Sequence, residues 1–300
     1  MRPYVITGLI SQRLVSAGRS INRLRIPPPR RPMPELPEVE TLLRQLKKTV
    51  CGRVIREVRI FDARVLNVDP AVFQAGLRGE TAVSLSRKGK YLGLETASAK
   101  RLWFHLGMTG RLLAAEESRL KHTHLALSFE GGRSLFFSDP RRFGRVIFLD
   151  RGGLEPAGLA ATAPDPFEMS EDVFARLFQG RTAPIKSLLL NQRLVSGIGN
   201  IYADEGLFRA AIFPARRVSR LARAKLIELH RALRQVLSEA VAAGGSSIDD
   251  YRHVDGRKGS FQEKHRVYGR TGLPCTACGT AIRVRRTAGR STHYCPGCQK

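Results

Sequence analysis

Apolar positions along this chain change their spacing three times. Val39, Leu42, Leu43, Leu46 and Val50 recur at helical intervals and Gly52 follows as a stop, so the spacing predicts a first helix. From about residue 53 to 150 the apolar runs shorten to strand length: Val54–Ile60, Tyr91–Glu95, Arg101–His105, His124–Phe129, Ser134–Phe137 and Arg145–Leu149, punctuated by Gly and Asp. That succession is expected of an all-β sandwich or barrel. Residues 151–166, rich in Gly, Ala and Pro, read as a linker. From 170 the spacing is helical again. Ser219 is the candidate N-cap of a helix with an apolar stripe of Leu226, Leu229, Leu233, Val236, Leu237 and Val241, closed by Gly244-Gly245. Residues 252–264, polar and carrying Gly256 and Gly259, read as a mobile loop. No internal repeat is visible.

The reading is an α+β multidomain chain. A basic extension spans 1–32 and a β-sandwich with flanking helices spans 33–150. The linker 151–166 leads to a helical domain over 167–265, and a small unit closes the chain over 266–300. With 300 residues, about 150 per domain agrees with two main bodies.

Composition narrows the class. At 42% hydrophobic and 26% charged the chain is not disordered throughout. No apolar run approaches the ~18–20 residues a spanning helix needs. Charge is the outlier: 51 Lys+Arg against 26 Asp+Glu leaves +25, which calls for a polyanionic partner, nucleic acid or an anionic membrane surface. Residues 1–32 hold seven arginines, no acidic residue, and the run Pro27-Pro28-Pro29-Arg30-Arg31-Pro32. Three readings fit them: an organellar transit peptide, a basic DNA-touching arm, or a stretch upstream of the true start at Met33.

The cysteines carry a sharper signal. Cys275-x2-Cys278-x16-Cys295-x2-Cys298 places two CxxC pairs at the separation that closes a tetrahedral Zn²⁺ shell. Four thiolates leave no open position, so the expectation is one structural zinc. Arg283, Arg285, Arg286 and Arg290 lie between the pairs and no acidic residue does, which suits a phosphate backbone. Cys51 stands apart and reads as an apolar filler.

Two further stretches invite chemistry. Gly197 and Gly199 flank one residue just before a helical segment starting near Asn200, and helix starts offer unpaired N–H groups to anions. Asn200 is placed at that cap, with Lys186 upstream as a second contributor. Pro34-Glu35-Leu36-Pro37-Glu38-Val39-Glu40 follows Met33. Loss of Met33 leaves Pro34 a free secondary amine, and an α-amine titrates near 8, so part of it is nucleophilic at neutral pH. Such an amine attacking a sugar anomeric carbon forms an iminium, and Glu35 is placed to move the protons. By composition alone, a helix start with Pro and acids in its first turn explains the same residues.

These motifs occur together with His105–Gly110, Asp139–Gly144 and Val267–Arg270, in order. Over about residues 33–300 the chain resembles the bacterial-type formamidopyrimidine-DNA glycosylases. The resemblance implies a helix-two-turns-helix motif in the helical domain and a C-terminal zinc finger. It also implies Pro34 as nucleophile, Glu35 as acid/base partner and Lys90 in the turn Ser86–Leu92 as the β-elimination lysine, with Lys88 its neighbour and competitor. Met108, Arg141 and Phe143 take the positions that fill the gap left by a flipped nucleotide. His122, two residues before His124, takes that of the DNA-contacting histidine. Asn200 and Arg181 form the phosphate clamp, and Arg290 grips phosphates around the flipped nucleotide. Loop 252–264 corresponds to the lesion-capping loop.

The implied activity is base excision repair: removal of oxidised purines from double-stranded damaged DNA, with strand cleavage by β,δ-elimination. The implied protein is a monomer, cytoplasmic and nucleoid-associated in a bacterium, or organellar if residues 1–32 are a targeting segment. Two rivals share these motifs. A sister glycosylase for oxidised pyrimidines is disfavoured by Leu36 and the intact Asp139–Gly144 motif. A catalytically dead DNA-binding protein, its Pro34 blocked by the extension, is disfavoured by the retained Glu35 and Lys90.

Overall fold

A computed structural model describes residues 33–115, 121–248 and 251–300. The basic extension expected over 1–32 lies outside the described residues. The first helix, α1 (Leu36–Val50), starts earlier than its apolar stripe because Glu38 reaches back to take the Glu35 amide at 2.8 Å. Its buried face (Val39, Leu42, Leu46, Val50) joins the core of the N-terminal domain.

That domain is two antiparallel four-stranded sheets. One holds β1 (Ile55–Ile60), β5 (Arg111–Ala115), β6 (Thr123–Phe129) and β7 (Ser134–Ser138) in the order β1-β6-β7-β5. The other holds β2 (Ala82–Lys88), β3 (Tyr91–Thr96), β4 (Arg101–His105) and β8 (Arg145–Leu149) in sequential order. Leu92 pairs Phe104 and Phe104 pairs Val146 across one sheet, Leu125 pairs Phe137 across the other, and all five are buried in one core. A fully buried side chain of this kind contributes about 1.5–3 kcal/mol. A short helix, α2 (Pro70–Leu77), capped by Asp69, seals the core with Phe73.

The stretch expected as a linker contains a helical turn, α3 (Ala157–Ala160), and is anchored: Asp165 pairs with Arg87 at 2.7 Å. The helical domain comprises α4 (Glu171–Phe178), α5 (Ile185–Leu189), α6 (Asn200–Arg209) and α7 (Arg223–Ala242). The predicted stripe of α7 is buried from Leu226 to Leu237, whereas Val241 is partly buried. Ser219 does not cap it. Val218, pinned by its amide to the Ala183 carbonyl, holds residues 218–220 in a 3-10 turn, and α7 starts after Ala222 with no side-chain cap.

Loop 252–264 is more tied down than its polarity suggests. Val254 is buried, its amide on the Gln45 side chain and its carbonyl accepting from the Ala114 amide. The loop ends in a 3-10 turn with Phe261 buried. A hairpin of β9 (Arg283–Thr287) and β10 (Arg290–Tyr294) completes the chain. Among the described residues no helix is long and apolar enough to cross a membrane.

Candidate active site

Pro34 and Glu35 enter α1 from its N-terminal side and are both buried. Glu35 crosses to the helical domain. Its carboxylate accepts from the amides of Gly199 (2.7 Å), Ile201 (3.0 Å) and Tyr202 (3.4 Å), the free N–H groups at the start of α6. Gly197 closes the joint, its carbonyl taking the Leu36 amide at 3.0 Å. Burial pushes the Glu35 carboxyl above its usual range, against the Lys90 charge and those three amides.

Lys90 lies in the turn between β2 and β3 and is buried beside Glu35. A Cβ on Gly199 would lie 2.3 Å from the Glu35 carboxyl carbon and 2.7 Å from Lys90 Nζ, so glycine is what lets both groups meet the helix start. Burial lowers the Lys90 pKa, the Glu35 and Glu38 charges resist, and Arg290 on the finger hairpin adds to the lowering. Lys88 is committed elsewhere, to Glu155 at 2.8 Å.

Asn200 is the first residue of α6, with Gly199 and not Asn200 at the N-cap. Its buried Oδ1 has no hydrogen-bond partner among the described residues. The structure therefore gathers Pro34, Glu35, Lys90, Asn200 and Arg290 where the three domains meet.

Sequence reasoning passed over Glu38, which takes the Tyr202 hydroxyl (2.5 Å), the Ser246 amide (2.7 Å) and the Glu35 amide (2.8 Å). Burial and the Glu35 charge push it up to about 7. The signal was the Glu35-x-x-Glu38 spacing of a capping pair.

A second cluster lies on two turns. Met108, half-buried, sits on the turn after β4, while Arg141 and Phe143 are exposed on the turn before β8. Gly107 (φ +60°) locks the turns together, since a Cβ there would lie 2.6 Å from the Phe143 carbonyl carbon. The Arg141 guanidinium stacks over the Phe143 ring at 4.7 Å. Asp139, also missed, organises the whole arrangement: its carboxylate accepts from Thr109 Oγ1 and from the amides of Arg141 (3.2 Å) and Gly144 (2.7 Å). His124 is buried within β6 against the Asp139 carbonyl at 2.7 Å, leaving His122 as the exposed ring. His105 stands between the clusters, pushed down to about 4 by burial and by the Lys90 and Arg145 charges.

One expected contributor to the clamp is placed differently. Lys186 is fully buried, ion-paired with Asp204 at 2.6 Å and bonded to the Ser291 carbonyl and Thr292 hydroxyl. It pins α5 and α6 to β10 and is not available to a phosphate. Arg181 is exposed after α4, its Nε turned back to the Leu177 carbonyl at 2.7 Å.

Cys275, Cys278, Cys295 and Cys298 bring their sulfurs within 4.8 Å of one another. Zn–S bonds of about 2.3 Å in a tetrahedron set sulfurs about 3.8 Å apart. The pairs Cys275–Cys298 at 3.8 Å and Cys278–Cys295 at 3.4 Å fit one zinc.

Residues 33–146 match the Formamidopyrimidine-DNA glycosylase N-terminal domain, 161–252 its H2TH domain, and 272–300 the zinc finger found in FPG and IleRS. The formamidopyrimidine-DNA glycosylase of Solibacter usitatus is 45% identical over 269 residues, covering 89% of this chain and all of the relative. The crystal structure of the MutM (Fpg) protein from Thermus thermophilus is 43% identical, with a TM-score of 0.80 over 89% of this chain and 98% of the other. A Lactococcus lactis Fpg complexed with DNA containing an abasic site is 35% identical, with a TM-score of 0.81 over 89% and 99%.

Proposed function

The chain belongs to the formamidopyrimidine-DNA glycosylase family of base excision repair DNA glycosylase/AP lyases, and from that premise we propose its substrate, its chemistry and the residues that perform it. The substrate is duplex DNA carrying an oxidised purine, 8-oxoguanine or a formamidopyrimidine. The protein works as a monomer on the bacterial chromosome.

In the active form Pro34 is the first residue, reached by initiation at Met33 or by removal of a leader. Its secondary amine attacks C1′. The glycosidic bond breaks, the base leaves with the bonding pair and takes a proton, and the sugar ring opens to an iminium on Pro34. Glu35, whose buried carboxyl takes a proton readily, supplies the proton the ring oxygen needs. The iminium acidifies the C2′ hydrogen, and Lys90, whose ammonium is weakened by burial, removes it. The C3′–O bond then breaks and the 3′ phosphate departs. A second elimination expels the 5′ phosphate, and water frees Pro34.

Met108, Arg141 and Phe143 fill the vacated stack: a thioether and a ring can wedge between bases while a guanidinium bonds the orphaned partner. His122, Asn200, Arg181 and Arg290 hold phosphates. Zinc, when bound by the four cysteines, holds the finger hairpin in shape and takes no part in the reaction.

The observation that carries this reading is Glu35, next to Pro34 in sequence, held on the start of α6 with Lys90 beside it. Protein initiated at Met33, incubated with 8-oxoguanine duplex and borohydride, should yield an adduct that maps to Pro34. The chain with residues 1–32 attached should bind the same duplex and give no Pro34 adduct, because an amide nitrogen is delocalised into its carbonyl. Equal trapping by both forms would move the nucleophile to a lysine, Lys90 first.

A further inference from the structure

The turn between β7 and β8, which carries Arg141 and Phe143, has a second support besides Asp139. Arg142 stands between those two residues with φ +56°, in the left-handed region that residues other than Gly rarely adopt. Its backbone is held at both ends: the Arg142 amide donates to the Asp139 carbonyl at 3.2 Å, and Arg145 Nη1 donates to the Arg142 carbonyl at 2.9 Å. Its side chain goes to Asp62, with Nε 2.9 Å from Oδ2.

Asp62 belongs to a well-anchored part of the sandwich. It follows β1 and caps the 3-10 turn Ala63–Val65, its carboxylate accepting the Arg64 amide at 3.1 Å. The amides of Phe61 (2.8 Å) and Asp62 (3.2 Å) both donate to the His124 carbonyl in β6. Downstream, the Asn67 side chain bonds both the amide (2.8 Å) and the carbonyl (3.1 Å) of Phe148 in β8. Arg64 takes the Asp62 carboxylate in two prongs, Nε on Oδ1 and Nη2 on Oδ2, each at 2.8 Å. Those bonds, with the Arg142 charge added, hold the Asp62 carboxyl well below its usual range, so it stays ionised. The Asp62 side chain is 12% exposed and that of Arg142 49%, so a fixed anion holds a surface cation.

What the pair does follows from where Arg142 stands. A residue strained at positive φ is relieved by leaving that region, and the chain on either side turns with it. Here the two sides are Arg141 and Phe143, exposed and stacked on each other at 4.7 Å. The Asp139 carboxylate restrains the turn through the amides of Arg141 and Gly144, and the ion pair to Asp62 restrains its middle. We propose that Asp62 is a positioning residue for lesion recognition, acting through Arg142: the ion pair presets the turn that presents Arg141 and Phe143 to the base stack. A preset turn loses less conformational freedom when a base is extruded. The inference rests on the proposed role of Arg141 and Phe143 as gap fillers.

The test uses the Met33-initiated protein in single-turnover assays on two duplexes, one with 8-oxoguanine opposite cytosine and one with a pre-formed abasic site. Asp62→Ala should lower the rate on 8-oxoguanine about fivefold, the upper end for an ion pair with one exposed partner, and leave abasic-site cleavage within about twofold. Arg142→Ala should give the same split, and the double variant should lose no more than either single one, because both remove one interaction. Arg142→Gly should show the split as well: glycine adopts positive φ without strain, but the tether is gone. Zinc content and thermal melting establish that each variant is folded. If Asp62→Ala does not fold, the Arg142 variants, altered at an exposed residue, carry the test alone. Equal losses on both duplexes would overturn the proposal, since a general structural defect moves both. Wild-type rates in any of the single variants, or additive losses in the double variant, would overturn it too. Phe143→Ala keeps the gap-filling reading separate. If it shows the split and Asp62→Ala does not, the positioning role falls and the gap filler stands. Equal losses in Phe143→Ala remove the gap filler and the proposal with it.

Discussion

At Gly199 one hydrogen in place of a methyl group decides whether the proposed catalytic groups can meet. Added there, a Cβ would drive into both the Glu35 carboxyl and Lys90 Nζ. Gly199→Ala should therefore leave the fold and zinc content intact and lower kcat/KM for 8-oxoguanine excision about a hundredfold, the cost of an ångström-scale misplacement. Steady-state cleavage of an oxidised duplex checks this, and near-normal activity would show that the pair can reposition freely. Glu38 gives a prediction of another kind. Its carboxyl, pushed up from 4.5 to about 7, holds a proton more readily folded than unfolded. Its contribution to stability is thus complete below about pH 4.5 and lost as pH rises through about 7. Urea unfolding from about pH 5 to 8 should show wild type losing more stability with rising pH than Glu38→Gln, by at most about 1.4 kcal/mol per pH unit. Parallel curves would refute it. At this scale the sequence marked chemistry by motif, so Glu35 and Lys90 were visible. Glu38 was not, because its partners Tyr202 and Ser246 are more than 160 positions away.

The turns and hairpins that carry the side chains proposed to face DNA depend on local scaffolds. The turn holding Arg141 and Phe143 is shaped by Asp139, which accepts two of its amides and the Thr109 hydroxyl. Asp139→Ala and Phe143→Ala should both impair excision of 8-oxoguanine more than cleavage at a pre-formed abasic site, where no base remains to be extruded. Comparing single-turnover rates on the two substrates tests this, and equal losses would dismiss the wedge. In the finger the metal substitutes for a hydrophobic core, so Cys275→Ser or a strong chelator should lower DNA affinity while the sandwich stays folded. Zinc analysis alongside thermal melting is the check, and unchanged affinity without zinc would refute it. Elements were legible where apolar periodicity was strong, as in β4, β8 and α7. β2 was missed because it is an edge strand with Val83 half-exposed, so its alternation is blurred. α2 was missed although Asp69-Pro70 is a helix-start pair, because its eight residues hold only two buried side chains.

Across the whole molecule the excess of +25 is the term a polyanion feels first. Affinity for any duplex should fall steeply with salt, and Arg290→Ala should lower the slope of log K against log salt by about 0.9, one phosphate contact. Titrations at several salt concentrations measure it, and an unchanged slope would remove Arg290 from the phosphate contacts. Charge and the cysteine spacing made the partner and the finger legible at this scale. The meeting of three domains at Glu35 was not, since it depends on contacts between Pro34–Glu38, the start of α6 and the last hairpin. That meeting has a bearing on how the protein is made. The ribosome delivers Pro34 and Glu35 first, the α6 amides that hold Glu35 after some two-thirds of the chain, and the finger last. On the proposed mechanism a nascent or truncated chain carries Pro34 without the helix end that holds Glu35, and a fragment is expected not to cut DNA. The proposed capacity to cut DNA is then expected only once α6 has been made and has folded against Glu35.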